Sequence, residues 1–420
     1  MDGGSESARE VDLNGRRYRR PRRPTVIVCI DGFDPAYLDR GMADGIFPAI
    51  SAFQTDGFMG TADAVVPTFT NPNNTSIVTG APPSVHGMSG NYYLDRETGR
   101  EVMVTDAHLL RSETILGRFS QAGVRTAAVT AKDKLRQMLA YNLHGISFSS
   151  QCADRCTIEE NGIADAEALV GRKKPAMYDP DLSLFVLDAG VQLLERGVAE
   201  LFYLSLSDTI QHTYAPGAPE SDAFHRAIDL RVARLLELGA VVAITGDHGM
   251  NDKAREDGTP NVVFLEDELN ARFGGHAVRV ICPITDPFVK HHGALGSFVR
   301  VYRRNGGDLG ALIEATGSLP GIELVLDGPS AAARFELPLD REGDFVAIGR
   351  RDTVIGATRA EHDLSLLQGH RLRSHGGISE QPVPFMLSAP LEEPHRRIAG
   401  SRRLRNFDIF EFALNGVDSS

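Results

Sequence analysis

The sequence predicts an α/β fold, a largely parallel sheet flanked by helices with a smaller α+β unit set into it. Three observations carry this. Short, nearly continuous apolar runs alternate with stretches of helical periodicity, as strands buried on both faces do. Those runs end abruptly in Asp, Lys or Gly. The pattern then changes between about 255 and 362, where short strand-like runs lie among Gly- and Pro-rich turns.

In chain order, "TVIVCIDG" is a buried strand ending at Asp31. "VPTFTNPNNTSIVTG", Val66 to Gly80, is a polar loop feeding a helix. Thr70 or Asn71 is its expected cap, with Pro72 in the first turn, where a missing N–H costs nothing. "SETILGRFSQAG" is helical and leads to the strand of "TAAVTAKDK", which runs into Lys132 and Lys134. "LFYLSLSD" is a strand ending at Asp208, and "AFHRAIDLRVARLLELG" is a helix. "AVVAITGDHG" is a strand ending at Asp247 and His248. The divergent stretch holds "VRVICPI", "GSFVRVYRR", "IELVLD" and "DFVAIGRRDTVI", and it separates "GDHGM" from "SHGG". The expected organisation is a core of residues 24–254 and 363–416, with a cap of residues 255–362 inserted.

A chain of 420 residues has room for one large core and a smaller unit. Its formal charge of −12 argues against a broad nucleic-acid surface, and an anionic substrate would need local cations. No apolar run approaches the roughly 20 residues of a membrane span. The polar, basic N-terminus lacks the apolar segment of a secretion signal, so a soluble cytoplasmic protein is expected, with Arg16–Arg23 in a solvated strand or tail. Four cysteines imply no disulfide framework: Cys29 and Cys282 read as core, and Cys152 with Cys156 makes a weak zinc knuckle.

In an open parallel sheet, ligands bind beyond the carboxyl ends of the strands. Asp31, Lys132, Asp208, Asp247 and His248 are all expected there. One such residue would ordinarily be a cap or turn residue; polar clusters at four strand ends make a site. Asp208 and His212 in "SDTIQH" are four apart, on one side of a helical turn. "GDHG" sets a carboxylate beside an imidazole, and "RSHGGISEQPVPF" places His375 in a glycine loop ahead of an apolar run. Carboxylate and imidazole together suit zinc, and two sets suggest two ions. A pair about 3.5–4 Å apart could activate a nucleophile and hold a phosphoryl group. The helix start at Thr70 would favour an anion or alkoxide. Local chemistry alone leaves open whether Thr68, Thr70, Thr75, Ser76 or Thr79 is a nucleophile, a cap being the commoner role. His291 and His292 have a weaker claim on the site.

"CIDG", "FTNPNNTSIVTGAPPSVHG", "TAKDKL", "DTIQH", "TGDHGMN" and "LRSHGGISEQPVPF" resemble the alkaline phosphatase superfamily, and within it the phosphonoacetate hydrolases most. The resemblance runs in one order from about residue 12 to 390. The nucleotide pyrophosphatase/phosphodiesterases are similar too, but less so around "TNPNN" and "TAKDKL". The resemblance implies one zinc held by Asp31, Thr70, Asp247 and His248, and a second held by Asp208, His212 and His375. It makes Thr70 the nucleophile, Asn91 of "SGNYY" a donor to the phosphoryl group, and Lys132 and Lys134 the partners of a substrate carboxylate. Thr213 stands where such sequences often have Lys.

The expected activity is therefore cleavage of the C–P bond of phosphonoacetate to acetate and phosphate, through a phospho-threonine, in phosphonate catabolism. The expected partner is a small phosphonate, with neither nucleic acid nor membrane involved and a homodimer allowed for. Alternatives are a zinc phosphodiesterase or phosphomonoesterase and a non-catalytic phosphonate-binding protein. A phosphate-transferring mutase would ordinarily use Ser where this chain has Thr.

Overall fold

The computed structural model describes residues 10–417, apart from 105–106, 286–287, 305 and 368. Its centre is a sheet of eight strands: β1 (Thr25–Ile30), β2 (Phe58–Asp63), β3 (Thr126–Thr130), β4 (Ile146–Ser149), β5 (Leu201–Ser205), β6 (Val241–Gly246), β7 (Pro382–Leu387) and β8 (Leu404–Arg405). They lie side by side in the order β8-β2-β7-β6-β1-β5-β3-β4. All run parallel except β7, which is antiparallel to both β6 and β2.

Every residue of β1, β3, β5 and β6 is buried, which is why their sequences are continuous apolar runs rather than alternations. Successive side chains still point to opposite faces. Val26, Val28 and Ile30 pack with Phe185 and Val186 of the Asp181–Glu195 helix and with Ile228 and Val232 of the Pro219–Glu237 helix. Ile27 and Cys29 pack on the other side with Ile77, Val78, Phe410 and Phe412.

This topology gathers the polar strand ends. Strands β6, β1, β5 and β3 are consecutive neighbours running the same way, so Asp247, Asp31, Asp208 and Lys132 emerge along one edge. His375 precedes its strand instead of following it. Because β7 runs antiparallel, with Thr245 opposite Phe385, the segment before it opens onto that same edge.

A second, antiparallel sheet has Val278–Ile281, Phe298–Arg303, Phe345–Gly349 and Ile322–Asp327 side by side. Leu265, Val280, Val299, Leu312 and Phe345 belong to its own apolar cluster. The run "DFVAIGRRDTVI" divides: Val354–Gly356 leaves that sheet and pairs in parallel with Val262–Phe264. At the N-terminal end, Glu10–Leu13 and Arg16–Arg19 form a hairpin. Arg16 lies 2.8 Å from both Asp408 and Glu411, so part of the basic run is pinned to the Ile409–Asn415 helix and the turn before it. Among the described residues no helix is long and apolar enough to cross a membrane.

Candidate active site

At the sheet edge, Asp31, Asp247 and His248 form one group, and Asp208, His212 and His375 another. Within each group the candidate ligand atoms all lie within 4.8 Å of one another. The first group follows from sharp turns after β1 and β6. Gly32 turns the chain with φ +69°, and its N–H donates to Asp247 Oδ1 at 3.1 Å. The His248 N–H donates to the same oxygen at 2.9 Å, and Asn74 Nδ2 to Asp247 Oδ2 at 3.1 Å. In the second group, Asp208 leads into the short helix α2 (Thr209–Thr213), after helix α1 (Thr70–Thr79) in the chain. That turn brings His212 Nε2 to 2.8 Å from Asp208 Oδ2, with His375 Nε2 at 3.9 Å from the same oxygen.

Each histidine is oriented through its other nitrogen. Nδ1 of His248 faces the Gly249 carbonyl at 2.8 Å, that of His212 the Arg373 carbonyl at 2.9 Å, and that of His375 the Thr68 carbonyl at 2.7 Å. A carbonyl only accepts, so in the neutral rings Nδ1 carries the proton and Nε2 presents a lone pair. This is the arrangement by which metal-ligating histidines are commonly held.

The carboxylates fit a cation equally well. Asp31 Oδ1 is buried and accepts no hydrogen bond, although His248 Nε2 is 3.2 Å away. Burial, and then the neighbouring Asp31, push the Asp247 carboxyl well above the usual carboxylate range. Burial opposes a charge on His248, but Asp247 and Asp31 raise its pKa to about 10. A divalent cation among these three side chains would take the place of that extra proton. In the second group burial opposes the charge on Asp208, but His212 and Lys132 hold its carboxyl well below the usual range. The residues present therefore suit two cations, one per group.

Thr70 is the first residue of α1. The cap position is Phe69, with no side-chain cap bond, so the threonine hydroxyl does not close the helix. It lies 3.3 Å from His248 Nε2 instead. Thr75, Ser76 and Thr79 are inside the helix, and Thr79 back-bonds to the Thr75 carbonyl. The Thr68 hydroxyl is taken up by the backbone of Gly376 and Gly377, at 2.9 Å each. Lys132 Nζ lies 3.7 Å from Asp208 Oδ1 with its side chain half-exposed, and Lys134 Nζ is 3.3 Å from Asn91 Oδ1. Asn91 also accepts from Asn71 and donates one amide proton to the Ile284 carbonyl at 2.6 Å, while its own N–H reaches Pro283 O at 2.8 Å. His292 lies near enough to His212 that this ring, after burial and His291, helps lower its pKa.

Sequence reasoning missed the residues that hold these groups. Asn74 is buried, donates to Asp247 and to the Thr70 carbonyl, and accepts from Tyr203 and Ser205 on β5. Arg373 is buried too. Its carbonyl orients His212, and its guanidinium donates to the Gln211 carbonyl at 2.8 Å and to the Tyr37 hydroxyl at 3.1 Å.

Fold and site together define an α/β protein that gathers two carboxylate–imidazole groups beside a helix-start hydroxyl. The family described as type I phosphodiesterase / nucleotide pyrophosphatase matches residues 25–377, and the chain belongs to it. It is also similar to phosphonoacetate hydrolase from Sinorhizobium meliloti 1021, solved in complex with phosphonoformate, at 45% identity and a TM-score of 0.93. That likeness covers 96% of this chain and 98% of the other. The same enzyme in complex with phosphonoacetate gives 43% identity and a TM-score of 0.91, again over 96% and 98% of the two chains. Phosphonoacetate hydrolase of Penicillium oxalicum is 50% identical over 52 residues, 12% of this chain and 72% of that one. Murine ectonucleotide pyrophosphatase / phosphodiesterase 5, at 15% identity and a TM-score of 0.61 over 93% and 94% of the chains, shares the fold.

Proposed function

We propose that this chain is a cytoplasmic two-zinc hydrolase that cleaves phosphonoacetate to acetate and phosphate. The observation that carries the reading is the placement of Thr70 Oγ1 at the start of α1, 3.3 Å from His248 Nε2 and beside two carboxylate–imidazole groups. Similarity to the Sinorhizobium meliloti enzyme over nearly its whole length supports the substrate. Four free cysteines suit a reducing compartment.

One zinc would be held by Asp31, Thr70, Asp247 and His248, the other by Asp208, His212 and His375. Bound there, zinc would supply positive charge that lowers the pKa of the Thr70 hydroxyl and offsets charge on the phosphoryl oxygens. Thr70 Oγ1, having lost its proton, attacks phosphorus, and the C–P bond breaks with its electron pair going to the methylene carbon. The leaving group is an enolate-like dianion of acetate, which takes up a proton to become acetate. Water then cleaves the phospho-threonine, releasing phosphate and restoring the hydroxyl. Charge developing on the departing carboxylate must meet cations, the role of Lys132 and Lys134, while Asn91 would donate to a phosphoryl oxygen. Residues 255–362 act as a cap. The carbonyls of Pro283 and Ile284 steady Asn91, and the Ser297 N–H donates to the His375 carbonyl at 2.9 Å.

The experiment is phosphate release from phosphonoacetate beside an aryl phosphodiester, with and without a chelator. Chelator-sensitive release from phosphonoacetate is expected. Turnover of the diester alone would turn the reading toward a phosphodiesterase, and full activity in chelator would end it.

A further inference from the structure

Behind the candidate ligands the molecule buries an ion pair that the reaction does not use. Lys253 Nζ lies 2.9 Å from Glu380 Oε1, and neither side chain reaches solvent. Burying two charges is a poor route to stability, since apolar residues of similar volume often serve as well. What the charges add is direction. Glu380 Oε1 also accepts from Asn251 Nδ2 at 2.6 Å and Ser379 Oγ at 2.7 Å, while Oε2 accepts the Gly377 N–H at 2.9 Å. Lys253 Nζ donates to the Arg351 carbonyl at 2.8 Å.

Those partners lie beside the two metal-facing loops. The Glu380 carbonyl accepts the N–H of Gly249, the neighbour of His248, at 2.7 Å. Its carboxylate holds Gly377, two residues beyond His375. The Lys253 N–H donates to the Leu372 carbonyl at 2.7 Å, three residues before His375. The pair therefore ties the segment after β6 to the segment before β7 at points before and after His375, whose ring stacks on that of His248 with centroids 3.6 Å apart.

We propose that the Lys253–Glu380 pair is a positioning device that fixes the separation of His248 and His375, and through them the spacing of the two metal sites. This rests on the two-zinc reading above. Lys253 and Glu380 touch neither substrate nor metal; they act through the loops.

The test is Lys253→Met/Glu380→Gln, which removes both charges at nearly constant volume. Three quantities are read: zinc affinity by competition with a chromogenic chelator, thermal unfolding of the metal-free protein, and the electron paramagnetic resonance spectrum of the Mn2+-loaded protein. Two close Mn2+ ions give an exchange-coupled spectrum, so this last reports spacing. The double variant should bind zinc about 10–100-fold more weakly, as loss of an outer-shell partner does. It should also lose the coupled spectrum at full Mn2+ loading while unfolding near the wild-type temperature. Wild-type affinity and coupling in the variant would overturn the proposal, whether or not its melting temperature fell. If the double variant does not fold, Glu380→Gln alone is read in the same way. Failure of both to fold would make the pair a folding determinant and also overturn the proposal. A wild-type protein that does not take up two zinc ions would overturn the two-zinc reading, and this proposal with it.

Discussion

The imidazoles of His248 and His375 lie face to face, with ring centroids 3.6 Å apart and planes 7° from parallel. They come from different directions, one just after β6 and the other just before antiparallel β7, and each is anchored through Nδ1 to a backbone carbonyl. Two cationic rings cannot share that stack. Burial, and then the charge of His248, push His375 well below the usual histidine range. Two neutral rings with Nε2 free are what a pair of cations would require of them.

The first prediction is a metal count. Wild-type protein should hold about two zinc ions per chain by elemental analysis. His375→Ala removes one ligand from the Asp208–His212 set and leaves Asp31, Asp247 and His248 intact, so about one ion should remain. Two ions in the variant would place the second site elsewhere.

The second separates two threonines. Thr70 closes no helix end, so Thr70→Ala should melt near wild type yet lose several orders of magnitude in turnover, as loss of an activated nucleophile does. Thr68 bonds to the backbone of Gly376 and Gly377, and its carbonyl holds His375. Thr68→Ala keeps the carbonyl and should cost about 1–3 kcal/mol of stability with a far smaller fall in rate. Equal losses of rate in the two variants would remove Thr70 from the reaction.

Part of this site could be read in the sequence because it is local. A buried parallel strand must end, and Asp31, Asp208 and Asp247 stand where theirs do. Asp208 and His212 share a helical turn. The gathering of His375 with them depended on the direction of β7, which an apolar run does not disclose. Asn74, Arg373, Lys253 and Glu380 were illegible for another reason. Asn74 reaches Asp247 across 173 residues, and Lys253 reaches Glu380 across 127, so no spacing rule connects them. The cap position went to Phe69 rather than to a polar residue because the backbone is still extended at Phe69 and already helical at Thr70, whose side chain is turned toward His248.

The third prediction concerns acid. His225 is buried among Phe33, Tyr37, Phe47 and Phe224, and burial lowers its pKa to about 4. Burial lowers that of His86 to about 3. The unfolded chain has ordinary histidines near 6.5, so below that pH it binds protons that the folded chain refuses. Each neutral buried histidine is therefore fully tolerated above about 6.5, and stability falls by about 1.4 kcal/mol per pH unit as pH drops toward its folded pKa. His225→Gln should flatten the acid limb of chemical unfolding between pH 6 and 4.5 by about that slope. An unchanged slope would mean that His225 does not titrate on unfolding in that range.

The last prediction separates the two leading activities. Lys132 Nζ is 3.7 Å from Asp208 Oδ1 and Lys134 Nζ is 3.3 Å from Asn91 Oδ1, so each ammonium group stands beside a candidate site residue. Phosphonoacetate carries a carboxylate; a simple aryl phosphodiester does not. A charge-assisted contact is worth about 1.5–3 kcal/mol in binding, and more where charge grows in the transition state. Lys132→Ala/Lys134→Ala should lower kcat/KM for phosphonoacetate about a hundredfold or more, ~3 kcal/mol, and change diester cleavage little. Because Lys132 also neighbours a metal-facing carboxylate, zinc content must be measured in the same samples; a retained pair of ions assigns the loss to the substrate. Equal losses on both substrates at full zinc would make the lysines phosphoryl binders and favour the phosphodiesterase. No loss on either would leave them as the solvated start of a helix, and the C–P reaction would need another cation.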